Sequence, residues 1–211
     1  MKKASLIFLL FLMVSAVYTQ NKRNQEISRA VLPSLPKWLS VIPAGDETNY
    51  GFQNREEFSR ADLGTPIEVF TLGDDFYTQT GQTTRLSSLG QWRIPVIVDQ
   101  KNRAMVTVIK ENSEWKIVDF GAAGLASELN DFENQLTAEQ FQRLKMVRVY
   151  QPLSDFLFYN DPESNPDQIV LLPLLSASKY LENQGLQTKK TWTLEEVAKV
   201  LHRSISIQNQ K

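Results

Sequence analysis

The chain has 211 residues, 42% of them hydrophobic and 22% charged, with a formal net charge of -1. That is globular composition, sufficient to bury a core in one domain or two small ones. The mixed charge leaves no electrostatic footprint for nucleic acid. The absence of cysteine removes thiol nucleophiles, disulfides and thiolate metal sites.

Lys2 and Lys3 precede an apolar run from Ala4 to Val14, and Val14-Ser15-Ala16 supplies small or modest residues where a signal peptidase cuts. This layout predicts a secretory signal peptide over 1–20, with the mature chain beginning between Val17 and Asn21. The run is short for a membrane span, and no later segment is apolar for long enough to make one. A lipoprotein anchor needs a cysteine just after the cut, which the chain lacks. The expected product is therefore an exported bacterial protein, periplasmic or extracellular. Losing Lys2 and Lys3 leaves it 21 basic residues against 24 acidic ones.

Residues 21–48 read as a polar, Pro-rich leader with one or two short helical turns. Pro33, Pro36 and Pro43 interrupt any long helix, and Trp38, Leu39 and Ile42 tuck it against the body. Beyond it, "NREEFSRADLG" predicts a short helix capped by Asn54, with Glu56 and Glu57 in its first turn and a stop at Gly64. "TPIEVFTL" predicts a strand, followed by a polar connection with a short helix near Asp74 to Tyr77. Trp92–Val98, Arg103–Lys110 and Trp115–Phe120 predict three strands joined by the turns "DQKN" and "ENSE". Pro95 within the first marks an edge or a bulge. Leu125, Leu129, Phe132 and Leu136 then fall on one helical face, and the small residues Gly121 to Gly124 suit close approach of that helix to the sheet.

The remainder predicts strands at Met146–Gln151 and Ile169–Leu172, an apolar segment at Asp155–Tyr159, and a helix from Ser176. In a final helix, Thr193 and Glu196 form a capping box. Leu194, Val197, Val200 and Leu201 make its apolar face, and "SISIQNQK" is a frayed tail or edge strand. "IEVFTLGDDF" (Ile67–Phe76) echoes "VRVYQPLSDF" (Val147–Phe156), and "IPVI" resembles "LPLL". A duplicated unit would explain both, as would chance. The expected organisation is one domain over 49–211, or two related lobes over 49–137 and 138–211.

The words "NYGFQNREEFSRADLGTPIEVF", "WRIPVIVD" and "FGAAGLASEL" cover roughly residues 49 to 130. In them the chain resembles a loose group of exported bacterial proteins of uncharacterised function. These share a YGF leader, an LG-x-P strand, a W-x-x-P-V hairpin and an LAxEL helix. The resemblance implies export and common descent; it brings no activity and no catalytic residue.

Few chemistries remain open. The lone histidine, His202, sits in the terminal helix, which suits a structural role better than a catalytic triad. One imidazole without thiols makes a zinc or copper centre implausible, and "GAAGLA" lacks the spacing of a phosphate loop, so neither metal nor cofactor is expected. Carboxylates are present: Asp74 and Asp75 are adjacent, and Asp119 lies in the three-strand region. Paired acids could serve glycoside hydrolysis or bind calcium, although aspartates at such positions commonly cap turns, the favoured reading. The aromatic candidates are Tyr50 and Phe52, flanking Gly51, and Trp92 followed by Arg93. Exposed, these residue types anchor a protein, peptide or glycan; buried, they are core.

The pattern predicts an α+β fold, an antiparallel curved sheet (a β-meander) packed on one or two helices, in a cystatin-like or nuclear-transport-factor-like arrangement. The leading functional expectation is a non-enzymatic exported binding module recognising through Tyr50, Phe52, Trp92 and Arg93. The rivals are a secreted hydrolase built on Asp74, Asp75 and Asp119, and an inhibitor or chaperone-like partner of a secreted enzyme.

Overall fold

The computed structural model describes residues 22–73, 76, 85–187 and 189–208, with side chains as far as Arg203. The chain is α+β with mainly antiparallel strands. It divides into two compact units, one comprising the residues up to Pro66 with Trp92–Asn134, the other Ile67–Gln91 with Gln135 onward.

The first unit opens with two helices, α1 (residues 22–31) and α2 (Leu35–Ser40), joined by a 3-10 turn. The helical turns expected in the leader are present, and its polar first stretch is helical as well. Ile27, Val31, Leu35, Leu39 and Ile42 recur at helical spacing, and each is at most 2% exposed. They supply one side of the unit's core. Pro33 and Pro36 begin the short helical segments, where a missing N–H has no intrahelical partner to lose. Asn54 caps a 3-10 helix, Arg55–Arg60, accepting from the Glu56 N–H at 3.0 Å. That helix ends at Arg60, before the expected stop at Gly64.

The strands of this unit run in the order β1 (Asp62–Leu63), β3 (Leu86–Val98), β4 (Lys101–Glu111), β5 (Glu114–Gly121). The three-strand meander is thus as expected, although β3 begins at Leu86 rather than at Trp92 and contributes to this unit from Trp92 onward. Both hairpins turn on two residues with positive φ, Asp99 and Gln100 in one, Asn112 and Ser113 in the other. This is the turn whose twist matches that of the strands. Pro95 is buried within β3. Its carbonyl accepts from the Gly64 N–H at 2.8 Å, just where the short β1 gives out, so its nitrogen faces a side with no ladder donor to supply. Gly64 itself is a packing glycine, since a Cβ there would lie 2.7 Å from Ile97 Cδ1.

Helix α3 (Ala123–Glu133) packs on β4, burying Ala126 and Leu129. Asn130 locks it there, accepting from the Asn102 N–H at 2.9 Å and donating to the Asn102 carbonyl at 3.1 Å. Leu136 lies beyond its end. The expected close approach through Gly121 and Gly124 is not found, as a Cβ on either would meet open space.

In the second unit β2 (Ile67–Leu72) pairs in parallel with β6 (Lys145–Val149), from Glu68 opposite Lys145 to Phe70 opposite Val147. The two echoing segments are therefore neighbours in the sheet. Antiparallel β7 (Ser154–Phe158), β8 (Val170–Pro173) and β9 (Trp192–Thr193) continue outward from β6. A five-residue helix, α4 (Ala138–Gln142), precedes β6. Helix α5 (Leu175–Asn183) packs on β7, and α6 (Leu194–Gln208) closes the chain. The Thr193 capping box forms as expected: the Glu196 N–H donates to Thr193 Oγ1 at 3.1 Å, and Glu196 Oε2 accepts from the Thr193 N–H at 3.0 Å. The segment read as a frayed tail continues this helix to Gln208. Phe70, Val147, Phe156 and Phe158 from the strands meet Leu181, Leu194, Val197 and Leu201 from the helices in one core.

Candidate functional site

Of the four aromatic-group candidates, the structure buries two. Phe52 is 1% exposed, edge-on to Phe58 at 5.1 Å and near-parallel to Phe120 at 6.5 Å. Tyr50 is half-buried and stacks on the same Phe120 at 5.9 Å. Between them Gly51 takes φ +89° and lies against the backbone of Arg103 in β4. Glu57, 2% exposed, pairs with the Arg103 guanidinium and accepts from the Gln53 N–H at 2.9 Å. The YGF word is thus a clasp that fastens the N-terminal segment to β4 and β5. Its aromatics are packing groups.

Trp92 is 8% exposed and meets Trp115 edge-on at 4.8 Å. The Arg23 guanidinium sits 5.7 Å from its ring centre, and Trp115 donates from Nε1 to Glu26 at 3.1 Å. These contacts fix α1 to the meander. Arg93, next along β3, is half-buried. The structure therefore sets Phe52 and Trp92 in the core of the first unit, with Tyr50 and Trp115 packed against it, and neither Phe52 nor Trp92 offers a surface to a ligand.

Of the acidic candidates, Asp74 and Asp75 lie outside the described residues. Asp119 is exposed on β5, which has β4 as a neighbour on one side and no described strand on the other. Its carboxylate accepts from the Phe120 N–H at 2.9 Å. One residue earlier, Val118 is the extra residue of a bulge, for the register steps from Thr107 opposite Asp119 to Val108 opposite Ile117. Bulges and locally capped donors are the means by which sheets blunt exposed edges. Asp119 is thus an edge-guarding residue. Among the described residues no group of three or more His, Cys, Asp or Glu could hold a metal ion, and no described helix is long and apolar enough to cross a membrane. His202 packs on Phe76 with ring centres 4.1 Å apart.

The most conspicuous surface feature lies in the second unit, at the β6–β7 hairpin. Val149 pairs with Ser154 and closes a four-residue turn in which the Leu153 N–H donates to the Tyr150 carbonyl at 3.1 Å. Leu153 adopts φ +49°, a left-handed conformation that costs a branched L-residue about 1–2 kcal/mol and is normally given to Gly or Asn. The residue is nonetheless 65% exposed, so little burial offsets the strain. Tyr150 is 46% exposed and Leu175, the first residue of α5, 55%. Leu175 is held near the tip because the residues on either side of it bond the Asp155 backbone. The Leu174 N–H donates to the Asp155 carbonyl at 3.1 Å, and Ser176 Oγ accepts from the Asp155 N–H at 3.0 Å. Across the hairpin, Arg148 faces Asp155 with Nε 3.4 Å from Oδ1. An ion pair thus stiffens the base of an apolar tip.

Sequence reasoning carries Met146–Gln151 on as strand and passes over this tip. Pro152 marks the turn, but the left-handed conformation falls on leucine, a residue type that gives no signal for it. No family model matches the chain, and neither a curated protein nor a solved structure matches it.

Proposed function

We propose that this protein is a non-enzymatic binding module, exported from the cell that makes it, and that it engages a protein partner through the tip formed by Tyr150, Leu153 and Leu175. The observation that carries this reading is Leu153, a branched apolar side chain kept in water on a backbone conformation that disfavours it. The Leu153 N–H closes the turn on Tyr150, but strain that the exposed side chain does little to repay in the free molecule points to a contact made elsewhere. Aromatic and apolar side chains at a stiff hairpin end provide an anchor that a partner can bury without ordering a loop. Export is supported by the Lys-Lys and apolar pattern of residues 1–20.

The test replaces Leu153 with a photoreactive side chain in the protein produced by its own exporting cell. A single partner should be crosslinked, and a chain carrying Leu153→Gly should neither compete for it nor bind it in purified form. Undiminished competition by Leu153→Gly and by Tyr150→Ala would refute the tip as the binding surface. Turnover of ester, peptide or glycoside substrates, abolished in a folded Asp74→Asn, Asp75→Asn double variant, would refute the non-enzymatic reading.

A further inference from the structure

At the end of the β6–β7 hairpin opposite the apolar tip, the chain forms a cleft of about 460 Å³ between α4 and the loop after β7. That volume falls in the range of small-molecule sites, roughly 300–1,000 Å³, but the lining differs from the usual apolar one. No aliphatic side chain lines it; its residues are hydroxyl, amide and charged, with Tyr159 the one aromatic.

The internal hydrogen bonds of the lining decide what it can offer. Thr137 Oγ1 accepts from the Gln140 N–H at 3.2 Å, and Gln140 Oε1 accepts from the Thr137 N–H at 2.9 Å. Asn160 Oδ1 accepts from the Val170 N–H at 3.0 Å, and Asp161 Oδ1 from the Glu163 N–H at 3.0 Å. The acceptor half of each amide is thereby engaged in holding the fold. What remains for a ligand is the NH2 of Gln140 and of Asn160, the hydroxyl protons of Thr137, Tyr159 and Ser164, and the Arg143 guanidinium. Acceptors are supplied by Glu139 and by the second oxygen of Asp161.

Charge narrows the class. Arg143 lies 3.8 Å from Glu139, which balances it, and the Lys145 ammonium, donating to the Asn160 carbonyl at 3.4 Å, offsets Asp161. A cleft of balanced charge favours neither an anion nor a cation, and an apolar ligand leaves every donor unpaired at about 1–3 kcal/mol each. A neutral ligand dense in hydroxyl and ether oxygens satisfies the amide donors and gives its own protons to the carboxylates. The Tyr159 ring can cover its C–H face. We infer that this cleft binds a short neutral saccharide, at a site separate from the tip assigned above.

The test is an NMR titration of the full mature chain with maltotriose, cellotriose and chitotriose, run beside inorganic phosphate and spermidine. Saturable shifts in the amides of residues 137–143 and 159–164 with at least one trisaccharide, and with neither ion, are the expected result. Tyr159→Ala should weaken that binding at least tenfold. If this variant loses its dispersed spectrum, Glu139→Gln, at an exposed position, takes its place with the same expectation. Leu153→Gly should leave the titration unchanged, which keeps this result independent of the tip. Shifts with phosphate or spermidine instead, or none with any of the three sugars, would overturn the inference.

Discussion

Gly51 lies against the backbone of Arg103 so closely that a Cβ on Gly51 would overlap both the carbonyl oxygen and its carbon. The same position has φ +89°, and Ala123 Cβ closes the remaining side at 3.1 Å. The crossing of these two residues is where the N-terminal segment is joined to the meander.

Gly51→Ala should therefore destabilise the protein by about 2–4 kcal/mol, the left-handed backbone and the overpacking acting together. Urea unfolding followed by Trp fluorescence measures it, since Trp92 sits in the core cluster of the same unit and Trp115 packs against it. A loss below about 0.5 kcal/mol, the size of an ordinary surface change, would show that the clasp yields freely.

Leu153→Gly should act in the opposite direction. Relief of the left-handed leucine is expected to raise stability by about 1 kcal/mol, because the exposed side chain gives up no buried contact. Thermal and urea unfolding should agree on the sign. Destabilisation would mean that the side chain packs on its own turn, removing the argument for its outward role.

Asp119→Ala removes the acceptor that closes the outward Phe120 N–H on β5. Self-association at this edge, which no described strand pairs, should increase, seen as a rise in weight-average mass with concentration in sedimentation equilibrium. Adding deletion of Val118, which restores a regular register with β4, should strengthen the effect. Unchanged mass in both variants would show that the edge is guarded by something other than these two residues.

The Lys189 ammonium, followed by the Thr193 N–H, holds the Glu196 carboxyl below its ordinary range. A carboxylate whose folded pKa is depressed adds stability at pH values above its unfolded pKa. That stability is lost as pH falls through the folded value. Wild type should thus lose more Tm than Glu196→Gln between neutral pH and pH 3, the two curves converging at the acid end. Parallel curves would show that the capping interaction does not depend on charge.

The meander and the terminal helix were legible because their signals are local: two-residue turns, β-branched runs and a Thr-x-x-Glu cap all lie within a few residues of one another. Helix α1 was not, because Asn24, Ile27 and Val31 form too thin a stripe over 22–31 to outweigh its charges. Its stripe is completed only by Leu35, Leu39 and Ile42 across two prolines. Composition offered Phe52 and Trp92 as surface anchors, but whether an aromatic is covered depends on strands far away in sequence. The tip at Leu153 and the cleft beside Tyr159 are set by hairpin register and by which half of each amide is already bonded. Neither property is written in residue type.

The division of the chain bears on how the molecule can be assembled. Residues 67–91 are an excursion that leaves the first unit, begins the second and returns, so neither unit is a continuous stretch of polypeptide. During synthesis β2 is made before the meander, yet its parallel partner β6 follows only after the meander and α3 are complete. Pairings of such long sequence separation form late, because the loop must close before any contact rewards it. Until then β2 carries an unsatisfied edge along Ile67–Leu72, an apolar segment prone to intermolecular pairing. Cutting the gene at any point between β2 and β6 would make that transient exposure permanent.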